Sequence, residues 1–412
     1  MKLRNLMCAT MIACAFASCS NDDVVPAPDQ GGVNNDGTTL SLQIEAPALT
    51  KADDAQINSL SMLVFDINGQ LEAIGKKEGE YTTEQVTVKG GTKKVMVLAN
   101  VGLPEAVKLG AAYEAVIAAL NKDFNAEDAT EITDNLTMSS KLYEGVEVAI
   151  EKRNMLGYSD KEIAEAGGVA VGGVADAKEK VKLYRNVAKI VLTSIKTKEY
   201  YGDNEGIIAY KEPKLQATSV FLLQGSKKTL LYSTDEYSVT EMSDEGFLFG
   251  KAGYVSAEGD KYTLASYSED DVYEGYNFDV TDWEDITGTV STPNTTFYAY
   301  ENTSEKYQTL LVVAGTFSYK NANDEYVDVP DRYYTVAIGA DNAVFSETAK
   351  SMLAKRSVDD PNGGVYRNLE YKVNLTVVGP GYKTPTGGGD PTTLEAQVEV
   401  VAYGEVTQDV EI

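Results

Sequence analysis

The most constraining feature of this sequence is the alternation of apolar and polar residues in two segments near opposite ends of the chain. In residues 40–46 every second residue is apolar, and the same holds for most of residues 394–412. A period of two residues is typical of a β-strand with one buried face, so both segments are predicted to be strands. The apolar positions are Leu40, Leu42, Ile44 and Ala46 in the first, and Leu394, Ala396, Val398, Val400, Ala402, Val406, Val410 and Ile412 in the second.

Between these two segments, runs rich in β-branched and aromatic residues alternate with loops rich in Asp, Asn and Gly. Strands are predicted over 57–66, 93–100, 182–196, 214–224, 262–267, 295–300, 307–317, 332–338 and 365–378. Residues 182–196 and 214–224 are separated by a short polar loop and are expected to form a long hairpin. Only residues 104–120, which start at Pro104, have a helical period. The sequence therefore predicts an all-β fold of stacked sandwiches, with one short helix covering a sheet in the first domain.

The N-terminus has the layout of a secretory signal. Lys2 and Arg4 precede an apolar stretch and then small residues, so residues 1–18 are expected to be removed. The stretch ends in Phe-Ala-Ser-Cys, which resembles a bacterial lipobox and marks Cys19 as an acylated residue. Residues 19–37 are polar and rich in Asn, Asp, Gly and Pro, and are predicted to form a flexible tether.

Composition excludes several classes of function. The chain has 412 residues, no histidine, and 36 basic against 63 acidic residues, which gives a net charge of −27. Histidine-dependent catalysis and histidine metal sites are therefore excluded, and the negative field disfavours nucleic acid as a partner. Adjacent carboxylates such as Asp270-Asp271 and Asp359-Asp360 are expected from the acidic composition and read as turns. We predict no catalytic residue, no metal site and no cofactor.

The length suggests two or three domains. We place an N-terminal sandwich at residues 38–225 and a C-terminal sandwich at residues 226–412. Residues 379–391, rich in Gly and Pro, precede the last alternating segment and would let it move.

Several short motifs, taken in order, resemble the fimbrillin family of type V pilus subunits. The lipobox and the strand at 40–46 are followed by Leu-Thr-Lys-Ala at 49–52, by Ser-Leu-Ser-Met-Leu-Val-Phe-Asp at 59–66 and by Val-Met-Val-Leu-Ala-Asn at 95–100. Further matches are Arg-Asn-Val-Ala-Lys-Ile at 185–190, Phe-Tyr-Ala-Tyr-Glu-Asn at 297–302 and Tyr-Arg-Asn-Leu-Glu-Tyr-Lys-Val at 366–373. The resemblance covers nearly the whole chain after the signal.

This resemblance implies two tandem transthyretin-like or immunoglobulin-like β-sandwich domains and assembly by strand exchange. The subunit would travel as an outer-membrane lipoprotein and then join an extracellular fimbrium. A trypsin-like protease would cut between Lys51 and Ala52, and the first strand, residues 39–46, would leave an open groove. The terminal strand of an identical or related subunit, residues 394–412 here, would fill it. Family members are cut after Arg, whereas this chain has Lys51.

Three other functions are compatible with the sequence. A pilus anchor subunit would keep its lipidated N-terminus uncut. A cell-surface glycan-binding lipoprotein of a polysaccharide-uptake system would need aromatic platforms, and the chain has one Trp. A glycosidase working with carboxylates alone would need two acids facing each other across a cleft.

Overall fold

A computed structural model describes the part of the chain that forms the sandwiches. The described residues are 37–45, 56–79, 82–83, 85–122, 136–201, 208–227, 229, 246–339, 343–354, 364–387 and 394–402. The strands are β1 (Thr39–Leu42), β2 (Ser59–Phe65), β3 (Leu71–Glu78), β4 (Val86–Thr87), β5 (Gly91–Ala99), β6 (Met138–Ser139), β7 (Tyr143–Val148), β8 (Arg153–Leu156), β9 (Val169–Ala170), β10 (Tyr184–Arg185), β11 (Val187–Thr197), β12 (Tyr200–Tyr201), β13 (Ile208–Ser226), β14 (Phe247–Phe249), β15 (Asn277–Asp279), β16 (Thr295–Tyr300), β17 (Leu310–Lys320), β18 (Tyr326–Ala337), β19 (Ala343–Phe345), β20 (Leu369–Val377) and β21 (Leu394–Ala402). The helices are α1 (Tyr113–Lys122), α2 (Asp160–Glu165) and α3 (Glu347–Ala354).

The N-terminal half contains two sheets. One has the strand order β4-β1-β8-β9, and the other has the order β10-β6-β5-β2-β3 with β7 paired to β5. Buried residues from both sheets, such as Leu40 from β1 and Leu63 from β2, belong to one apolar core. We refer to this half as the N-terminal sandwich.

The C-terminal half is an eleven-stranded arrangement built around β13. Its order is β18-β17-β13-β16-β11-β20-β21-β19, and β13 meets β16 only through the pair Ser226–Tyr300. Neighbouring residues of β13 point to opposite faces. Val220 joins the main core with Ile190 of β11, whereas Phe221 packs in a second core under tyrosines. We refer to this half as the C-terminal sandwich, and the prediction of an all-β sandwich fold is confirmed.

The hydrogen bonding changes from one set of sheets to the other between residues 185 and 187. Tyr184 and Arg185 still pair with β6, whereas Val187 pairs with Tyr300 of the C-terminal sandwich. Strands β11 to β13, which the predicted boundary after residue 225 assigned to the first domain, therefore pair with strands of the C-terminal half.

We call the contact region of the two sandwiches the junction. There the Arg185 amide donates to Asn368 Oδ1 at 3.1 Å, and the Asn186 amide donates to the Thr137 carbonyl at 3.1 Å.

Three local predictions were wrong. Residues 104–112 form turns and α1 begins only at Tyr113, because Gly110 has a φ of +79° that interrupts a helix. The predicted hairpin of 182–196 with 214–224 does not form, since β11 pairs with β16 and β20 and β13 pairs with β17. Residues 262–267 are not a strand, because amides there donate to side chains, as Ala265 does to Gln224 Oε1.

The described residues contain neither a membrane-spanning helix nor a metal-binding cluster. None of their helices is long and apolar enough to cross a membrane. Among the same residues, no group of three or more acidic or thiol side chains is arranged to hold a metal ion.

Candidate strand-exchange site

The first strand lies inside a sheet rather than at its edge. β1 is antiparallel to β4, with Leu40 opposite Val86, and parallel to β8, with Leu42 opposite Leu156. Single bridges extend the pairing to Gln43 and Ile44, whose partners are Thr82 and Val181. Removing this strand would leave two facing rows of unpaired backbone groups, which is a ready template for another strand.

Backbone hydrogen bonds hold the strand on both sides. On the β8 side the Thr39 amide donates to the Lys152 carbonyl and the Gln43 amide to the Leu156 carbonyl, both at 3.0 Å. On the β4 side the Thr83 amide donates to the Leu42 carbonyl at 3.0 Å, and the Thr83 hydroxyl accepts from the Leu42 amide at 3.1 Å. The strand is thus held by ladders on both edges.

The apolar face of β1 is part of the core of the N-terminal sandwich. The side chains of Leu40 and Leu42 are fully buried, and that of Ile44 is 1% exposed. Full burial of such a side chain contributes about 1.5–3 kcal/mol, so the three together contribute about 5–9 kcal/mol. These three predicted positions point into one apolar groove, and an incoming strand would have to fill it.

Asn154 of β8 links the strand to the loop beside it. Its side-chain amide nitrogen lies 3.0 Å from the Thr39 carbonyl and 2.9 Å from the Ala149 carbonyl, and its Oδ1 accepts from the Ala149 amide at 2.8 Å. Asn154 is fully buried, so these bonds are not replaced by water when β1 is in place. It therefore fixes β8 and the start of β1 in one geometry.

The end of the strand passes very close to Gly157. A Cβ at this position would lie 2.2 Å from the Gln43 carbonyl oxygen, and Gly157 has a φ of +87°. Next to it, the Tyr158 hydroxyl donates to the Leu42 carbonyl at 3.4 Å, and burial raises the pKa of this tyrosine. The short approach of backbone to backbone requires glycine.

Helix α2 follows directly and begins with a capping box. The Ser159 amide donates to Glu162 Oε2 at 2.8 Å, and the Ser159 hydroxyl caps the Glu162 amide. Hydrogen bonds from the Ser159 side chain and backbone hold the pKa of Glu162 below its usual range. The cap fixes the chain that follows Gly157 and Tyr158.

The predicted donor segment begins as a strand of its own C-terminal sandwich. β21 is antiparallel to β20 over nine pairs, from Leu369 opposite Ala402 to Val377 opposite Leu394. Val398 and Val400 are fully buried, whereas Leu394, Ala396 and Ala402 are half-buried. The even positions therefore face the core, as the alternation predicts.

Several predicted positions lie outside the described residues. These are the acylated Cys19, the cleavage residues Lys51 and Ala52, Ala46 of the first strand, and Val406, Val410 and Ile412 of the donor segment. The described chain stops at Glu45 and resumes at Gln56, so the predicted cut falls between β1 and β2.

The sequence analysis missed Thr83, Asn154 and Gly157. The sequence around Thr83 and Asn154 contains no motif that predicts a special role. Their contacts are with a strand 41 to 115 residues away along the chain, so no local pattern indicates them. Gly157 precedes the Ser-x-x-Glu signature of α2, which marks a helix start but not the strand that passes over it.

Comparison with known proteins finds one matching family and relatives named as fimbrial subunits. Residues 37–185 match the family described as the major fimbrial subunit protein FimA. Two relatives match over the full length of both chains: the major fimbrium subunits FimA type-2, at 21% identity, and FimA type-3, at 22% identity, both from Porphyromonas gingivalis. These relatives are structural subunits and not enzymes.

Solved structures share the fold. A candidate cell adhesion protein of Parabacteroides distasonis matches with a TM-score of 0.63 and 21% identity, over 89% of this chain and 98% of that one. A fimbrilin of Porphyromonas gingivalis matches with a TM-score of 0.60 and 18% identity, over 90% of this chain and 99% of that one. This chain therefore shares its fold with these two proteins.

Proposed function

We propose that this chain, whose residues 37–185 match the FimA major fimbrial subunit family, is a fimbrillin and serves as a stalk subunit that polymerises by strand exchange. It is exported as an outer-membrane lipoprotein acylated at Cys19 and is cut by a trypsin-like protease near Lys51. The cut frees the first strand, and residues 394–412 of the next subunit fill the groove. Its role as a structural subunit of a cell-surface fimbrium rests on the family and its relatives.

The observation that carries this proposal is the position of β1. The strand is short, is buried between β4 and β8, and supplies Leu40, Leu42 and Ile44 to the core. Before the cut, residues 46–55 connect it to β2, and Lys51 lies in that connection. After a cut, β1 is held only by its own contacts, and a strand with a better match can displace it.

The reach of the C-terminal segment supports the participation of residues 394–402. Ala402 lies opposite Leu369 at the junction, whereas Val377, opposite Leu394, is at the other end of β20, about 26 Å away at 3.3 Å per residue. Residues 403–412 extended reach about 33 Å. In a filament whose subunits meet end to end, residues 403–412 would first have to run about 26 Å back along the C-terminal sandwich. Only about two residues would then remain to enter the groove of the next subunit. The donor therefore includes β21.

Mild trypsin treatment of the purified protein tests the proposal. The expected result is a cut after Lys51, measured by intact mass, followed by a ladder of multimers on an unheated gel. A Lys51→Gln variant is the matched control, because it keeps the length and polarity of the side chain but removes the cleavage site. A cut without multimers would contradict polymerisation by strand exchange, and multimers formed by the uncut variant would contradict the role of the cut.

A further inference from the structure

The start of the terminal strand β21 resembles residues 40–46, which include most of β1. Residues 40–46 read Leu-Ser-Leu-Gln-Ile-Glu-Ala and residues 394–400 read Leu-Glu-Ala-Gln-Val-Glu-Val. Leu40, Gln43 and Glu45 correspond to the identical residues Leu394, Gln397 and Glu399, and the other even positions of the segment, 42, 44 and 46, have apolar counterparts. A shift by two residues would bring Ala396, Val398 and Val400 to the pockets of Leu40, Leu42 and Ile44, so all three pockets would be underfilled, whereas Leu394 on Leu40 fills the first one completely.

From this match we propose that β21 replaces β1 of the next subunit in the register Leu394 on Leu40, with the same chain direction. The inference rests on the proposed strand exchange and adds its register and direction. In this register Val398 takes the pocket of Ile44, and Gln397 and Glu399 take the outward positions of Gln43 and Glu45. Glu395 takes the position of Ser41, which is 3% exposed, beside the Tyr158 hydroxyl that can donate to its carboxylate. The donor is then parallel to β8 and antiparallel to β4, as β1 is.

The direction agrees with the end of the C-terminal sandwich from which β21 starts. Leu394 lies opposite Val377, and Glu395 forms an ion pair with Lys198 at 2.9 Å, just after β11 ends at Thr197. We call this the distal end, since it is remote from the junction. A strand that leaves its own sheet while still attached before Leu394 extends away from the distal end, away from its own N-terminal sandwich.

The receiving groove starts at the opposite end of the subunit. β1 begins beside Arg153 and Thr87, remote from the junction, and we call this the leading end of the N-terminal sandwich. With the proposed direction, Leu394 of the donor is at the leading end of the acceptor. The distal end of one subunit then meets the leading end of the next, and this contact repeats to give an open filament.

The leading end carries exposed apolar side chains for such a contact. Ile67 is 72% exposed and Leu109 is 65% exposed, and their loops are joined by the hydrogen bond from the Tyr113 amide to the Gly69 carbonyl at 2.8 Å. Ile150, 53% exposed, lies just before β8. These side chains are available to contact the next subunit at this end.

Paired cysteines test the register and the direction. The chain has cysteine only at positions 8, 14 and 19, so replacing these three by serine gives a cysteine-free background. Ile44 bridges to Val181, so Glu45 lies beside Lys182, and both are exposed. In the proposed register Glu399 takes the position of Glu45, and the pair Glu399→Cys with Lys182→Cys should link neighbouring subunits. If the donor ran in the opposite direction with Val400 on Leu40, Glu395 would take the position of Glu45, and Glu395→Cys would link to Lys182→Cys instead.

The possible outcomes test the register and strand exchange separately. A disulfide-linked ladder from the pair 399 and 182, formed only after the trypsin cut, is the expected result. A ladder linked through 395 and 182, or an unheated ladder with no link from either pair, would overturn the register but leave strand exchange intact. If the cut protein of both double variants forms no multimers at all, strand exchange itself fails and the register falls with it.

A gain of stability gives an independent test. Ala396 would sit in the pocket of the larger Leu42 and leave part of it empty, so Ala396→Leu should fill it. Because Ala396 is half-buried in its own sheet, the larger side chain has room there. We expect multimers of this variant to dissociate in detergent at least about tenfold more slowly than those of the native chain. An unchanged or faster dissociation, with the uncut monomer as stable as the native chain, would overturn the register.

Discussion

Truncating Leu42 separates the stability of the subunit from the stability of the polymer. Leu42 is fully buried in the core of the N-terminal sandwich, so Leu42→Ala should lower the free energy of unfolding of the uncut monomer by about 2–5 kcal/mol. After exchange, however, this side chain has left the molecule with the first strand. The multimers of Leu42→Ala should therefore dissociate at the same temperature as native multimers.

Leu63→Ala is the matched control. Leu63 lies in β2, is equally buried and belongs to the same core, but it stays in the subunit after the cut. Denaturant unfolding of the uncut proteins should show a similar loss for both variants. Heating of the multimers in detergent, read on gels, should show earlier dissociation for Leu63→Ala alone. If Leu42→Ala multimers dissociate as early as those of Leu63→Ala, the first strand has not been replaced.

Three further perturbations have defined outcomes. Gly157→Ala should weaken both β1 and the donor strand that takes its place, because the new Cβ would lie 2.2 Å from the carbonyl oxygen at position 43, at a φ of +87°. Multimers of this variant should therefore dissociate on heating in detergent at a lower temperature than native multimers, and an unchanged temperature would contradict this. Because hydrogen bonds from Ser159 lower the pKa of Glu162, the charged carboxylate stabilises the folded protein above the usual glutamate pKa, and this contribution is lost as the pH falls through the lowered pKa. The difference in unfolding free energy between the native chain and Glu162→Gln, measured by urea titration, should therefore be present at pH 7 and vanish at acidic pH. An equal difference at both pH values would refute this. Val398→Asp should destabilise the monomer as well as block assembly, because Val398 is fully buried in its own C-terminal sandwich; a melting temperature equal to that of the native chain would show that β21 does not contribute to the monomer core.

The strands with one buried face could be predicted from the sequence. β1, β2 and β5 lie where the apolar alternation and the valine-rich runs indicate, since a period of two residues is a local property of the chain. The position of β1 between β4 and β8 could not be predicted in this way. Its partners are up to 114 residues away along the chain, as the pair Leu40–Asn154 shows, and pairing over such distances leaves no local pattern.

The wrong predictions have the same kind of cause. Only the two-residue strand β12 lies between β11 and β13 in the sequence, but β11 pairs with β16 and β20, so proximity along the chain predicted the wrong partner. The segment 262–267 has the tyrosines and leucine of a strand, but its Leu264 amide donates to the Ser256 hydroxyl rather than to a neighbouring strand. Its apolar side chains cover the second core without forming a sheet.

In the candidate site, the apolar residues of the first strand could be predicted from the sequence, whereas the residues that hold this strand in place could not. Leu40, Leu42 and Ile44 face the core because alternation fixes the face of a strand. Asn154 and Gly157 act through contacts made only once β8 has packed beside β1, and their residue types are common in loops.

The composition of the multimers shows directly whether the first strand leaves the subunit on assembly. Cut protein would be allowed to assemble, and the multimers would be isolated by size and denatured for mass spectrometry. The fragment ending at Lys51, which carries β1, is expected to be missing from the multimers and to be recovered with the low-molecular-weight peptides. Multimers that retain one such fragment per subunit would contradict strand exchange.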